Sequence, residues 1–220
     1  IAVPPVEIEW SARERLSAAL PSDAPVTYRA LIENSFGKRP DLQALFLMGG
    51  VADRVAERFG TRGSPISIST ACASGATAIQ MGVEAIRRGD TDIAMTIGTD
   101  GSMSVEALIR FSLLSALSNR NETPEQASRP FSRGRDGFVM AEGAGALVLE
   151  DLEAAQARGA TILAIVRGCG EMADDYHRTR SKPDGSAIIG AIRRAIKDAC
   201  IAPEDIDLSL IHISEPTRPY

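Results

Sequence analysis

The sequence is poor in the residues that build metal centres and disulfide frameworks, with three cysteines and two histidines among 220 residues. Cys72, Cys169 and Cys200 are too far apart to form a zinc-binding motif, and an odd, unclustered set of cysteines is typical of a reducing compartment. No apolar run reaches the roughly 18 residues of a membrane-spanning helix, and no signal peptide is recognisable. A net charge of −5 provides no basic surface for nucleic acid. The sequence therefore predicts a cytoplasmic protein that binds neither nucleic acid nor membrane.

Apolar residues make up 44% of the chain, and their spacing alternates between helical and extended patterns. Helices are predicted over 11–20, 26–34, 51–59, the segment after Cys72 up to Arg88, 105–117, 151–158 and 186–199, and strands over 65–70, 92–98, 145–150 and 161–168. One helix separates the first two strands, which predicts a βαβ unit with parallel strands. This alternation indicates an α/β protein with a mainly parallel sheet.

Cys72 stands at a predicted turn from strand to helix. Residues 65–70 alternate apolar with small polar side chains, and Ile79, Val83 and Ile86 recur afterwards at helical spacing. A cysteine at the start of a helix lies beside unpaired N–H groups and the positive end of the helix, which favour the thiolate, the nucleophilic form. The position predicts a catalytic nucleophile. The alternative is an inert buried residue, because free cysteine is among the most often buried types.

Several short motifs follow one another along the chain. In order they are Thr70–Gly75 (Thr-Ala-Cys-Ala-Ser-Gly), Arg88-Gly89-Asp90, Ala116-Leu117-Ser118, Ala127–Phe131, Arg135–Phe138 and Glu142–Gly145. Together they resemble the β-ketoacyl synthases, the thiolase-fold condensing enzymes of fatty-acid and polyketide synthesis, from about Val51 to Asp207. Spaced motifs in one order are far more specific than a single hexapeptide.

The resemblance implies a layered α/β/α/β/α thiolase fold, present here in part. Residues 1–153 would form the N-terminal half, incomplete at its start, and residues 154–207 the beginning of the C-terminal half. In this family a cysteine, matched here by Cys72, takes an acyl group from a carrier-protein thioester. Two histidines then assist decarboxylation of a malonyl thioester, and the resulting enolate attacks the acyl-cysteine. The resemblance also implies an acyl carrier protein as partner, a homodimer, and no metal or cofactor.

Two further residues receive roles from the resemblance. Phe111, with Leu108 and Ile109, is interpreted first as a core residue. The matching family segment lines the acyl tunnel near the dimer interface, so the resemblance implies that Phe111 contacts the growing acyl chain. Arg120 begins an arginine-rich stretch that is either a solvated face, a set of internal pairs or a positive rim for the acidic carrier protein. The other members of the stretch are Arg129, Arg133 and Arg135. Arg120 is the best candidate for the carrier contact by its position.

Two other segments suggest sites that the sequence does not support. Glu142–Gly145 is glycine-rich but precedes its strand, whereas a phosphate-binding loop follows its strand and opens a helix. Residues 172–179 contain two carboxylates, a phenol and the imidazole of His177, but adjacent side chains in a loop point in different directions. We interpret this loop as a positioning or gating element. His177 matches neither family histidine.

Neither end of the sequence resembles a native terminus. The chain begins at Ile1 without a methionine, which predicts that the natural protein starts earlier. Residues 208–220 resemble the translation of an adapter used in DNA library preparation, so the native sequence is expected to end near Asp207. His212 falls where the first family histidine would fall, but it lacks the flanking Asn-Ala-His-Gly-Thr pattern. It is therefore interpreted as part of this tail.

Two other functions remain as alternatives. A non-catalytic partner of the chain-length-factor type has lost the cysteine, so Cys72 argues against it. A thiolase-like enzyme that transfers acyl groups to coenzyme A combines a histidine with a second cysteine, whereas the carrier-protein synthases use two histidines. Those residues and the family lysine would follow Asp207, so the sequence leaves this choice open.

Overall fold

A computed structural model describes residues 1–3, 10–23, 25, 27–35, 47–177 and 180–209. Its helices are α1 (Trp10–Ala18), α2 (Tyr28–Ser35), α3 (Gly49–Phe59), α4 (Ser74–Arg87), α5 (Val105–Leu113), α6 (Leu152–Ala157) and α7 (Ser186–Ala199), and its strands are β1 (Ile93–Asp100) and β2 (Gly143–Glu150). One compact unit contains residues 1–79 and 95–147, and a second contains residues 80–94 and those from 148 onward. Within the described ranges, no helix combines the length and apolar character needed to cross a membrane.

Most predicted helices are present, and their ends follow local signals. Helix α7 has the predicted bounds, and α3 ends where Gly60 takes a positive φ of 63°. The carboxylate of Asp151 caps α6 by accepting the N–H of Ala154 at 3.0 Å. Helix α5 ends four residues before its predicted end, because Ser115 takes a left-handed conformation that does not continue an α-helix.

The first three residues form a segment for which no strand was predicted. Ala2 makes parallel bridges to Ile68 on one side and to Gly98 of β1 on the other. Its N–H donates to Ile97 O at 2.7 Å, and Ala2 and Val3 are only 2% and 3% exposed. The predicted parallel relation between residues 65–70 and β1 is confirmed, and the N-terminal segment lies between them. Residues 65–70 do not form the predicted strand, since only Ile68 makes a bridge. Three residues are too few for a strand pattern to be recognised.

Strand β2 pairs with β1 in the opposite direction. Asp151 N–H donates to Asp92 O at 2.9 Å, and the hydroxyl of Thr96 donates to Leu147 O at 3.4 Å, so residue numbers rise on one strand as they fall on the other. The expectation of a mainly parallel sheet is wrong for this pair. Both strand directions show the same alternation of side chains, so periodicity does not reveal direction.

In the second unit, residues 161–168 do not form the predicted strand. They have no regular secondary structure, and most of their side chains are exposed. The backbone just beyond them lies directly on α7, since a Cβ atom on Gly168 or Gly170 would overlap the helix backbone at Ala191, Ala195 or Ala199. Contact between backbones is possible here because glycine has no side chain.

The face of α7 that makes this contact is not the one that carries the large apolar side chains. Ile188, Ile189, Ile192 and Ile196, with Cys200, recur on one face of the helix, but the first three isoleucines are exposed. The packed face carries alanines spaced four residues apart, at 187, 191, 195 and 199, and the outermost two are buried. Small side chains allow the closer approach, and they decide which face of the helix is buried.

An ion pair joins the ends of two helices in the second unit. Arg87, the last residue of α4, donates to both oxygens of Asp198 at 3.0 and 2.8 Å and to Arg167 O at 3.0 Å. Asp198 also accepts the N–H of Cys169 at 2.8 Å. The Arg87 hydrogen bond and then this backbone N–H lower the pKa of Asp198. Burial, together with the charge of Asp198, raises the pKa of the Cys169 thiol.

Candidate active site

Cys72 lies in a short 3₁₀ turn, Ala71–Ala73, that runs directly into α4. Its side chain is exposed, and its sulfur makes no hydrogen bond to the described part of the chain. The alternative of a buried cysteine is therefore wrong, and the role of Cys72 as nucleophile stays a prediction. The structure places an accessible thiol in the turn directly before a 14-residue helix.

The residue before Cys72 has an unusual backbone conformation. Ala71 takes φ +52°, the left-handed region that residues with a Cβ atom rarely adopt. This conformation costs about 1–2 kcal/mol for a residue other than glycine, so neighbouring contacts must stabilise it. Ala71 opens the 3₁₀ turn that contains Cys72, so this conformation lies at the junction between residues 65–70 and α4.

Ser74 supplies those contacts. Its hydroxyl accepts the N–H of Thr70 at 2.8 Å and donates to the carbonyl of Ala71 at 2.6 Å. The N–H of Ser74 donates to the same carbonyl, and Ala73 N–H donates to Thr70 O at 3.3 Å. Ser74 is 8% exposed. The backbone of the two residues before Cys72 is therefore tied to one buried side chain.

The hydroxyls of Thr70 and Thr77 and a close contact between two glycines also support the start of α4. Thr77 donates to the carbonyl of Ala73 at 3.2 Å, and its oxygen lies 3.0 Å from the hydroxyl oxygen of Thr70. A Cβ on Gly98 of β1 would lie 3.5 Å from the α-carbon of Gly75, so strand and helix pack closely here. Sequence reasoning missed these supporting residues, although three hydroxyl residues around one cysteine were a visible signal.

This arrangement suits nucleophilic attack on an acyl group. The thiol is accessible and lies directly before the N-terminus of α4, where backbone N–H groups point out of the helix. Backbone N–H groups in such a position stabilise the negative oxygen of a tetrahedral intermediate. A thioester carbonyl held at this turn could therefore be attacked by Cys72 Sγ.

Phe111 lies on α5 and is 38% exposed. Leu108 and Ile109 are more exposed still, and the buried residue of this helix is Ala107. The interpretation of the three large side chains as core is therefore wrong, because among the described residues nothing covers this face. Contact between Phe111 and an acyl chain stays a prediction.

Arg120 is engaged inside its own loop. Its guanidinium donates to Gly134 O at 3.2 Å, and its N–H donates to the hydroxyl of Ser118 at 3.3 Å. Ser118 in turn donates to Asp136 at 2.8 Å, and this hydrogen bond is the main cause that lowers the pKa of Asp136, with the charge of Arg120 a smaller one. Arg120 thus joins the two ends of the loop. Its contact with a carrier protein stays a prediction.

The loop that begins at Met172 is closed by its own carboxylate. Asp174 accepts the N–H groups of Tyr176 at 3.1 Å and Lys182 at 2.9 Å. Because this carboxylate is used to shape the loop, the geometry does not suggest an acid–base cluster. His177 is exposed in the same loop, and His212 lies outside the described residues. Over the described ranges, no group of three or more histidine, cysteine, aspartate or glutamate residues could hold a metal ion.

Comparison with known sequences gives two family matches. The model of the β-ketoacyl synthase N-terminal domain matches residues 30–155, and that of the C-terminal domain matches residues 163–213. The second match extends past Asp207, and the assignment of residues 208–220 to an adapter stays a prediction, as does the boundary after residue 153.

Individual relatives agree with these matches. The chain is 43% identical over 159 residues to 3-oxoacyl-[acyl-carrier-protein] synthase 2 of Staphylococcus aureus, covering 72% of this chain and 39% of that protein. It is 39% identical over 173 residues to a Streptomyces cyaneus protein named as a polyketide β-ketoacyl synthase, covering 79% and 41%. The chain thus spans about two fifths of the length of the curated relatives it matches.

Solved structures give the same result. A type II polyketide ketosynthase in complex with its acyl carrier protein matches with a TM-score of 0.78 and 31% identity, over 94% of this chain and 49% of that one. A β-ketoacyl synthase from Burkholderia phymatum matches with a TM-score of 0.70 and 30% identity, over 91% and 46%. These matches confirm the predicted α/β thiolase-like fold, present in part. Because the N-terminal domain model matches more than half of the chain, the chain belongs to the β-ketoacyl synthase family.

Proposed function

We propose that this chain is part of a β-ketoacyl-acyl-carrier-protein synthase in which Cys72 accepts the acyl group. The observation that carries the proposal is the exposed thiol at the hydrogen-bonded turn before α4, inside the region that matches the family. The reaction is a decarboxylative Claisen condensation between the acyl-cysteine and a malonyl thioester, in fatty-acid or polyketide synthesis. Relatives named for both kinds of pathway support this substrate class.

The first half of the reaction uses residues that the structure describes. The thiolate of Cys72 attacks the thioester carbonyl carbon and forms a new S–C bond. The bond to the carrier sulfur breaks, and the carrier thiolate leaves with the electron pair and takes up a proton. The N–H of Cys72 at the helix start stabilises the oxyanion that forms between these two events.

The second half needs groups that the resemblance assigns to two histidines. His177 is the one histidine among the described residues, and it matches neither. We therefore infer that the 220-residue chain takes up an acyl group at Cys72 but forms no ketoacyl product. Uncovered sheet edges and apolar faces such as that of α5 are expected to make it poorly stable in isolation.

The proposed partner is an acyl carrier protein, and the proposed assembly is a homodimer in the cytoplasm. A solved relative in complex with its acyl carrier protein supports the first of these. The arginine-rich stretch contributes positive charge for an acidic carrier: Arg120 holds its loop together, and Arg133 is exposed without a hydrogen bond or ion pair to the described residues. Phe111 is proposed to contact the growing chain.

The test is an acyl-transfer assay followed by peptide mapping. Octanoyl-carrier protein is mixed with the chain, and intact mass spectrometry is expected to show one added octanoyl group, mapped to Cys72. Malonyl-carrier protein is then added, and no ketoacyl product is expected. Octanoyl-coenzyme A as sole effective donor would favour the thiolase-like alternative, and the absence of any acyl-cysteine would favour the non-catalytic partner. Either result would overturn the proposal.

A further inference from the structure

Ser74 follows Cys72 by two residues, and its hydroxyl contacts the backbone of the two residues that precede Cys72. The hydroxyl accepts the N–H of Thr70 and donates to the carbonyl of Ala71, at 2.8 and 2.6 Å. We propose that Ser74 is a positioning residue for acyl transfer: its hydroxyl holds Ala71 in the left-handed conformation and so sets the direction of the Cys72 side chain and N–H. This inference rests on the proposed function of Cys72.

The direction of the Thr70 N–H shows why the hydroxyl matters. A serine in a regular helix donates to a carbonyl three or four residues earlier, and Ser74 does this with Ala71. The N–H four residues earlier in a regular helix points away along the axis and is out of reach. Here it reaches Ser74 because Ala71 takes a left-handed conformation, with φ at +52°. The pair of hydrogen bonds is therefore specific to this conformation.

The contact joins an exposed residue to a buried one. Ser74 is 8% exposed, whereas Thr70 is exposed. Without the Ser74 hydroxyl, the Thr70 N–H loses its acceptor within the protein and bonds to water instead, which allows residues 70–73 to adopt another conformation. Cys72 lies in the middle of this segment. A change there would displace the thiol relative to the N–H groups that open α4.

The experiment compares Ser74→Ala with Ser67→Ala in the full 220-residue chain. Ser67 is a matched control, because its hydroxyl oxygen is buried in the same unit and has no hydrogen-bond partner among the described residues. The probe is the N-acetylcysteamine thioester of octanoate, which needs no carrier protein. Ser74→Ala is expected to lower the maximal rate of Cys72 acylation by about 10- to 100-fold, the range for a displaced reacting group, with an unchanged half-saturating concentration. Ser67→Ala is expected to match the wild type.

A second variant tests the cause. Ala71→Gly, added to Ser74→Ala, is expected to recover the rate several-fold, because glycine adopts φ +52° without a steric penalty. Equal rates for Ser74→Ala and Ser67→Ala would overturn the inference, and so would a slow Ser74→Ala variant that glycine does not rescue.

Failure of the proposed function would look different. If the wild-type chain takes up no octanoyl group, Cys72 is not an acyl acceptor. The positioning role is then measured by alkylation of Cys72 with iodoacetamide in the same variants. A slower reaction in Ser74→Ala that Ala71→Gly rescues would support it, and equal alkylation rates would overturn it.

Discussion

Cys72 in the first unit and Cys200 in the second are both exposed cysteines beside a helix, and a left-handed residue lies at or next to each of them. Ala71, just before Cys72, has φ +52°, and Cys200 itself has φ +54°. Cys72 stands at the start of α4 among N–H groups, whereas Cys200 stands at the end of α7, where its own N–H donates to the carbonyls of Ile196 and Lys197. Two exposed cysteines thus stand at opposite ends of their respective helices, in opposite electrostatic surroundings.

The two positions also differ in how their surroundings are held together. Buried and half-buried hydroxyls tie the turn at Cys72, through Ser74 and Thr77. The end of α7 is held by glycine backbone packed against the helix and by the ion pair between Arg87 and Asp198. The comparison teaches that exposure does not separate the proposed nucleophile Cys72 from Cys200. The polarity of the helix end and the hydrogen bonds around it are what differ between the two positions.

The largest expected effect comes from removing each thiol in turn. Cys72→Ala is expected to abolish acylation by octanoyl-carrier protein, because no other described cysteine lies at a helix start. Cys200→Ala is the matched control and is expected to keep the full rate. The measurement is acyl incorporation by intact mass spectrometry. Acylation of the Cys72→Ala variant at Cys200 would remove the distinction between the two positions.

The next effect concerns the close packing in each unit. Gly170→Ala is expected to destabilise the chain by about 3 kcal/mol, because its Cβ would overlap the backbone of Ala191 and Ala195. Gly98→Ala is the control from the first unit, where the nearest atom is 3.5 Å from the new Cβ and a change below about 1 kcal/mol is expected. Urea unfolding followed by circular dichroism measures both. Equal losses would show that the two contacts are equally tight.

The intrinsic reactivity of the two thiols gives a smaller difference. With iodoacetamide at pH 7, Cys72 is expected to react about tenfold faster than Cys200, because N–H groups stabilise developing negative charge and carbonyl groups do not. Peptide mapping after timed alkylation gives both rates from one sample. Faster reaction at Cys200 would contradict the role assigned to helix polarity.

The smallest effect concerns the ion pair at the end of α7. Asp198→Asn is expected to lower the Tm slightly at pH 7, because the ionised carboxylate accepts hydrogen bonds from Arg87 and Cys169. The folded pKa of Asp198 lies below the unfolded value, so its stabilisation is present above the unfolded pKa and is lost as the pH falls through the folded pKa. The difference in Tm between wild type and variant should therefore shrink below about pH 4. A difference that is constant with pH would mean that the charge of Asp198 is unimportant.

Much of the local structure could be predicted because its signals are local. The bounds of α7, the cap that Asp151 provides for α6 and the turn at Cys72 each depend on residues a few positions apart. Such signals act through backbone conformation and short-range hydrogen bonds, which nearby residues determine. The family motifs are local signals as well, and they pointed to Cys72 as the candidate site residue.

Other features could not be predicted because they depend on distant partners. The buried position of Ala2 depends on Ile68 and Gly98, and the buried face of α7 depends on Gly168 and Gly170. An isoleucine stripe is the usual mark of a buried face, but two glycines at the contact made the alanine face fit more closely. The proposed role of Ser74 could not be predicted either, because serine is common at the start of helices and its contacts with Thr70 and Ala71 depend on the folded backbone.

The sequence by itself determined which helices form, where the candidate nucleophile stands and the family to which the motifs point. These properties follow from short-range conformational preferences and from residues that are adjacent in the chain. The tertiary structure alone decided the antiparallel pairing of β2, the face on which α7 packs, and the engagement of Arg120 with Gly134 instead of solvent. Those outcomes depend on whether particular backbones can approach each other, and only the folded arrangement brings them together.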